Sequence, residues 1–227
     1  MHRVSDPAAE LESRLGHRFS EPQLAAAALT HRSARGPSNE RLEFLGDAVL
    51  GLAIAEALYE SRPGLEEGDL TRMRASLVNR ESLAAVARSM DLGSIVELGS
   101  DEKRNGAFQR HSILADALEA AIGAVFLDGG YAAARAAVRR LFAERLDELP
   151  EPERLKDPKT RLQEVLQARG LPLPEYCIVA AGGPEHAREF QAECRVAALE
   201  LAGTGSGRSR RRAEQAAAAA VLEALAE

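Results

Sequence analysis

Glu40, Glu43 and Asp47, inside the run Asn39-Glu40-Arg41-Leu42-Glu43-Phe44-Leu45-Gly46-Asp47, stand at positions i, i+3 and i+7. On a helix that spacing stacks three carboxylates on one face, where like charges are destabilising unless something neutralises them. A hard divalent cation that takes oxygen ligands is the simplest neutraliser; a solvated acidic face is the alternative. The neighbouring Leu42, Phe44, Leu45, Val49 and Leu50 predict a largely buried segment, where carboxylates are uncommon. A second pair, Asp116 and Glu119, lies at i, i+3 among Ile113, Leu114, Leu118, Ile122 and Val125. Unpaired charge is costly to bury there, so this pair needs arginine partners or a cation. One cation shared by the two helices would satisfy both sets. Asp and Glu donors with no nearby His or Cys ligand set favour Mg²⁺ or Mn²⁺ over zinc. Such ions suit phosphoryl chemistry, activating water and neutralising charge on phosphate.

The elements that carry these residues are helical as far as the proline- and charge-rich stretch Leu149-Pro150-Glu151-Pro152-Glu153. Three- and four-residue apolar spacing predicts helices over 11–15, 21–29, 40–59, 67–78, 81–90, 112–127 and 132–146, punctuated by glycines that include the Gly129-Gly130 pair. This is an all-α domain. Beyond the linker the period changes. A helix over 159–169 is followed by short strands over 176–181, 189–196 and 198–204, then a helix over 210–226. That order, α-β-β-β-α, builds a small sheet with both helices on one face, an α+β unit.

Composition bounds the rest. The 227 residues are 45% hydrophobic and 28% charged, and no run approaches the ~20 apolar residues of a membrane-spanning helix. The first residues lack an apolar signal core. Cys177 and Cys194 are too few for a disulfide framework, which fits a reduced, cytoplasmic setting. Both fall in strand-like runs and read as small core residues. The net charge of -6 argues against a nucleic-acid partner on its own, but its distribution matters more. From Arg154 onward 11 Lys and Arg face 10 Asp and Glu, leaving 18 against 25 before it. The acid lies with the carboxylate motifs.

The tail holds a basic cluster. In Gly203-Thr204-Gly205-Ser206-Gly207-Arg208-Ser209-Arg210-Arg211-Arg212 a glycine turn joins a helix whose first turn is arginine. Cations there oppose the helix dipole, so a bound polyanion is the better explanation, with a solvated arginine run as the alternative.

Asn39 to Asp47, Ser112-Ile113-Leu114-Ala115-Asp116 through Glu119, Ile122-Gly123-Ala124 and Leu127-Asp128-Gly129-Gly130 closely resemble the bacterial ribonuclease III family over nearly the whole chain. The resemblance implies an all-α catalytic and dimerisation domain over 1–149, a linker over 150–157 and a double-stranded-RNA-binding domain over 158–227. It implies Mg²⁺, with Mn²⁺ as substitute, held by Glu43, Asp47, Asp116 and Glu119. Asp47 and Glu119 would be most directly tied to hydrolysis, and Glu40 and Glu67 would be accessory acids of a cleft formed by a homodimer. Phe44 matches a knob that enters the partner subunit; without the resemblance it reads as a core aromatic. In the tail the resemblance places Arg210, Arg211 and Arg212 on phosphates, with Gln163, Glu164 and His186 at minor-groove positions. Such domains read the A-form shape of about 16 base pairs. One stretch, 99–107, departs from the pattern, with Asp101, Asn105 and Ala107 where Gly, Ser and Gly are common in the family.

The implied activity is hydrolysis of double-stranded RNA to 5′-phosphate and 3′-hydroxyl ends with short 3′ overhangs. Precursor ribosomal RNA and other structured transcripts are the implied substrates. Five histidines without a paired acid/base motif disfavour a cyclising ribonuclease. A non-catalytic double-stranded-RNA-binding regulator is the rival from another class, and it predicts loss of a ligating carboxylate. A structural helical dimer with salt-bridged acidic pairs is a further rival, and it leaves the basic tail unexplained.

Overall fold

The computed structural model describes residues 6–184 and 188–225. The chain separates after Pro152 into two compact units. The first consists of helices α1 (Pro7–Leu15), α2 (Pro22–Leu29), α3 (Glu40–Ser61), α4 (Glu67–Val78), α5 (Arg80–Ser89), α6 (Ser100–Arg104), α7 (His111–Leu141) and α8 (Ala143–Asp147). Helix α9 (Pro152–Leu155) begins at the boundary, and the second unit continues with α10 (Pro158–Ala168), strands β1 (Glu175–Gly182), β2 (Glu189–Val196) and β3 (Leu201–Gly207), and α11 (Arg210–Ala224).

The first unit is built around α3 and α7, whose apolar stripes bury Leu50, Ala53, Ile54 and Leu58 against Leu114, Leu118, Ile122 and Val125. Two glycines bring the pair unusually close. A Cβ on Gly46 would overlap the Glu119 carbonyl and come within 2.9 Å of the Gly123 nitrogen. A Cβ on Gly123 would overlap the Leu42 carbonyl and approach the Gly46 nitrogen at 3.1 Å. The crossing therefore lies among the carboxylate positions of both helices. Further along, Arg135 pairs with Glu56 and, at 2.9 Å, with Glu60; Arg139 also pairs with Glu60, and Tyr131 donates to Glu56 at 3.1 Å. These contacts fasten the far ends of the two helices.

The predicted helix over 112–127 and most of that over 132–146 are joined as α7, the rest of the latter falling in α8; α7 is broken at Gly130 (φ 72°, ψ −175°), a conformation suited to glycine. Asp128 just before the break accepts from the backbone N–H groups of Ser20 and Glu21 at 2.9 and 3.0 Å and meets His17 at 2.7 Å. Burial pushes this carboxyl up, but those hydrogen bonds outweigh it and hold it below the usual range. The atypical stretch 99–107 is not a plain loop, since it contains α6 and leads into a 3₁₀ turn over Ala107–Gln109.

In the second unit the antiparallel sheet has order β1-β2-β3, with a bulge between Ile178 and Ala180. Ala192, Cys194 and Val196 on one face pack with Leu162 and Leu166 of α10 and Ala213, Ala217 and Val221 of α11. Both helices therefore cover one face, as predicted. The third strand differs from the expectation of 198–204. Ala197–Leu199 is a 3₁₀ turn and the strand runs from Leu201 to Gly207, so the presumed glycine turn is itself β-structure. Glycine is a poor strand former, but Cβ atoms at 203, 205 and 207 would strike α11 at Ala217, Ala216 and Ala213. Close packing against the alanine-rich helix overrides propensity. Cys194 is buried as expected; Cys177, one residue out of phase with Cys194's partner Tyr176, is exposed and not part of the core. Part of the proline-rich stretch is helical, as α9.

Candidate active site

The start of α3 is fixed before any of its carboxylates is placed. Buried Asn39 donates its backbone N–H to Thr30 at 2.9 Å and accepts from Glu43 at 2.8 Å, while its side chain donates to Ala28 at 3.4 Å. Glu97 accepts from the N–H of His31 at 3.0 Å and donates to Leu29 at 2.8 Å, so residues 29–31 form a short ladder with it. Ser33 accepts from Gly99 at 2.9 Å.

On this frame Glu43 from α3 and Asp116 and Glu119 from α7 converge. One carboxylate oxygen from each lies within 4.8 Å of the other two. All three are partly buried. Desolvation, then repulsion from Asp116 and Glu40, raises the Glu43 carboxyl above its ordinary value. Desolvation raises Asp116, against nearby arginine and histidine charge. Desolvation followed by repulsion from Asp47, Glu43 and Asp116 pushes Glu119 up to about 8. Three oxygen donors gathered within 4.8 Å, with their charges mutually opposed, could supply part of the oxygen shell of a hard divalent ion. Salt-bridged acidic pairs are not what is found: these three side chains make no ion pair within 4.0 Å among the described residues.

Asp47 is not within that group. Its carboxylate is exposed one turn beyond Glu43, though it is the strongest like charge acting on Glu119. Glu40 is exposed as well, accepting from Ser38 at 2.9 Å and pairing with Arg32 at 3.8 Å. It lines a cleft of about 670 Å³ with Glu43, Asp116, His31, Arg32, Arg80, Glu102 and Arg110. The basic members of this cleft escaped the sequence reading, because they come from separate segments and form no local pattern. Glu67 is elsewhere. At the start of α4 it accepts from Thr71 at 2.8 Å and edges a hollow of about 680 Å³ lined by Leu52, Tyr59, Leu65 and Leu70. Phe44 is 83% exposed on α3, so the reading of it as a core residue is wrong.

In the second unit Arg210, Arg211 and Arg212 are exposed in the first turn of α11, capped by Ser209, which accepts from Arg212 N–H at 3.2 Å. Asp157, the cap of α10, accepts from Lys159 N–H at 2.9 Å and Gln215 at 2.7 Å and pairs with Arg211 at 3.5 Å. It thereby ties the starts of α10 and α11. Gln163 and Glu164 are exposed on α10, with Glu164 accepting from Lys156 at 2.8 Å. His186 lies outside the described residues.

Residues 21–146 match the family model described as Ribonuclease-III-like. The chain belongs to the ribonuclease III family. Residues 158–225 match the double-stranded RNA binding motif. Ribonuclease 3 of Vibrio cholerae is 49% identical, covering 98% of this chain and 99% of its own. That of Ectopseudomonas mendocina is 52% identical, covering 98% and 97%. Among solved structures, the nuclease domain of ribonuclease III from Campylobacter jejuni is 40% identical with a TM-score of 0.59, covering 66% of this chain and all of that one. A second structure of that domain, 43% identical with a TM-score of 0.58 and covering 60% of this chain and 95% of its own, concerns a region involved in dimer formation. The chain is thus an endonuclease of this family with a double-stranded-RNA-binding domain. No described helix is long and apolar enough to cross a membrane.

The carboxylate cluster has a consequence for stability. Between the ordinary 4.5 and about 8, folded Glu119 keeps a proton that the unfolded chain releases. Folded stability is therefore favoured below 4.5 and lost as pH rises through 8. Denaturant unfolding in EDTA should show wild type losing stability across this window relative to Glu119→Gln. Parallel pH curves for the two proteins would contradict the placement of Glu119.

Proposed function

We propose that the chain is a Mg²⁺-dependent endoribonuclease, with Mn²⁺ able to substitute, that hydrolyses double-stranded RNA to 5′-phosphate and 3′-hydroxyl ends with short 3′ overhangs. The observation that carries this reading is the convergence of Glu43, Asp116 and Glu119 within 4.8 Å. These residues would hold the ion, with Asp47 alongside. When bound, a hard divalent ion lowers the pKa of water and neutralises charge on the phosphate. Glu119 and Asp47 act nearest the reacting groups. Glu119, held protonated near neutrality without a cation, becomes an acceptor once positive charge is supplied. Glu40 supports the arrangement by holding Arg32.

Residues 1–149 form the catalytic and dimerisation domain, 150–157 the linker and 158–227 the RNA-binding domain. Dimerisation is supported by Phe44, far too exposed for a solitary aromatic, and by the apolar hollow beside Leu52 and Tyr59, which are themselves exposed. In the homodimer Phe44 enters the partner subunit and Glu67 borders the shared cleft. Gln163, Glu164 and His186 read the minor groove, and Arg210, Arg211 and Arg212 contact phosphates. Precursors of ribosomal and transfer RNA and structured messages in the cytoplasm are the substrates.

The test is incubation of the full chain with a defined RNA duplex and Mg²⁺, followed by mapping of product ends. Paired cuts with 5′-phosphates are expected from wild type, and none from Glu119→Ala. Uncut duplex with both Mg²⁺ and Mn²⁺, cyclic-phosphate ends, or cleavage that survives in Glu119→Ala would overturn the reading. Arg210→Ala and Arg211→Ala should each weaken binding and reduce its salt slope by about one.

A further inference from the structure

We propose that Arg80 binds a non-bridging oxygen of the scissile phosphate. The assignment rests on the duplex-RNA nuclease reading of the cleft. Arg80 lines that cleft with Glu43 and Asp116, together with Arg32, Arg110 and His31. Its backbone is held firmly. Asn79, the cap of α5, accepts from Ser82 N–H at 3.0 Å and donates to the carbonyls of Ala75 and Ser76 at 3.2 and 2.8 Å. The residue therefore sits at the joint between α4 and α5, a fixed base for a long side chain.

Charge distinguishes Arg80 from the other cations of the cleft. It alone lowers the carboxyl pKa of Glu43, Asp116 and Glu119 together. Arg32 acts on only two of these and is paired with Glu40 at 3.8 Å. Arg80 makes no side-chain hydrogen bond and no ion pair within 4.0 Å among the described residues. Its donors remain available although three carboxylates are near. A divalent ion bound by the carboxylates would cancel most of their negative charge and so weaken the guanidinium's attraction to that wall. A phosphate entering between them restores the balance, because its oxygens accept from the guanidinium on one side and meet the carboxylate-held charge on the other. The planar fork of arginine suits two phosphate oxygens, and charge that develops there during in-line attack is stabilised by a donor already in place.

Single-turnover cleavage of a defined RNA duplex by wild type, Arg80→Ala and Arg80→Lys tests this. It is paired with duplex binding across a KCl series in the Glu119→Gln background with Mg²⁺ present, where the duplex stays intact. In that background Arg80→Ala should reduce the slope of log affinity against log salt by about one, and Arg80→Lys should preserve it. With Glu119 intact, Arg80→Ala should slow cleavage on the order of 10²-fold, with lysine recovering part of the rate. The Mg²⁺ concentration for half-maximal rate should not rise, since removing a neighbouring cation favours the ion. An unchanged salt slope, or a slow rate fully restored by more Mg²⁺, would overturn the assignment and leave Arg80 as a spacer of the carboxylates. A wild type that binds duplex without cutting it overturns the nuclease reading instead, and the salt slopes still decide Arg80.

Discussion

Glu119→Gln is expected to abolish cleavage and raise metal-free stability at pH 8, two effects of opposite apparent sign from one substitution. The loss of rate should be on the order of 10³-fold, as several kcal/mol of transition-state charge stabilisation disappear with the site's deepest donor. The gain in stability follows from the same cause. Glu119 is desolvated and repelled by Asp47, Glu43 and Asp116, so a neutral side chain of the same shape relieves a native-state cost. Thermal melts in EDTA and single-turnover rates in Mg²⁺ check the two halves. An inactive variant that is also destabilised at pH 8 would mean that Glu119 serves packing rather than the cluster.

The second large effect concerns the helix crossing. Gly46→Val should destabilise the first unit by at least about 3 kcal/mol, because backbone rather than a flexible side chain occupies the space a Cβ needs. A fall in Tm of roughly 6–12 °C corresponds to that change. Activity should fall with it, since separating α3 from α7 separates Glu43 from Asp116 and Glu119. Gly51→Ala on the same helix is the control. Nothing lies within 4 Å of its added Cβ, and alanine should gain about 0.5–1 kcal/mol of helix propensity. Equal behaviour of the two variants would show that the close approach is unimportant.

These expectations show which parts of the molecule the chain discloses locally. Carboxylates at helical spacing and the change of period after residue 153 are local patterns, and both led to the right elements. Which carboxylates converge depends on the α3–α7 crossing. Gly46 and Gly123 set that crossing from 77 positions apart, so helical spacing alone does not separate Asp47 from Glu43. Phe44 could not be told from a core aromatic by periodicity, because exposure on an unpartnered face leaves no mark in the pattern. The glycines of β3 mimic a turn, and only the alanines of α11 explain why a strand keeps them. His31, Arg32, Arg80 and Arg110 reach one cleft from three segments and are invisible to any window.

The most direct measurement is Mn²⁺ uptake by the full chain, followed by electron paramagnetic resonance titration without RNA. Wild type should bind the ion, and Glu43→Gln, Asp116→Asn and Glu119→Gln should each weaken that binding about tenfold or more, since losing a ligand should cost no less than losing one of its outer-shell partners. Binding that is unaffected by all three substitutions would contradict the assignment of this cluster as the metal site.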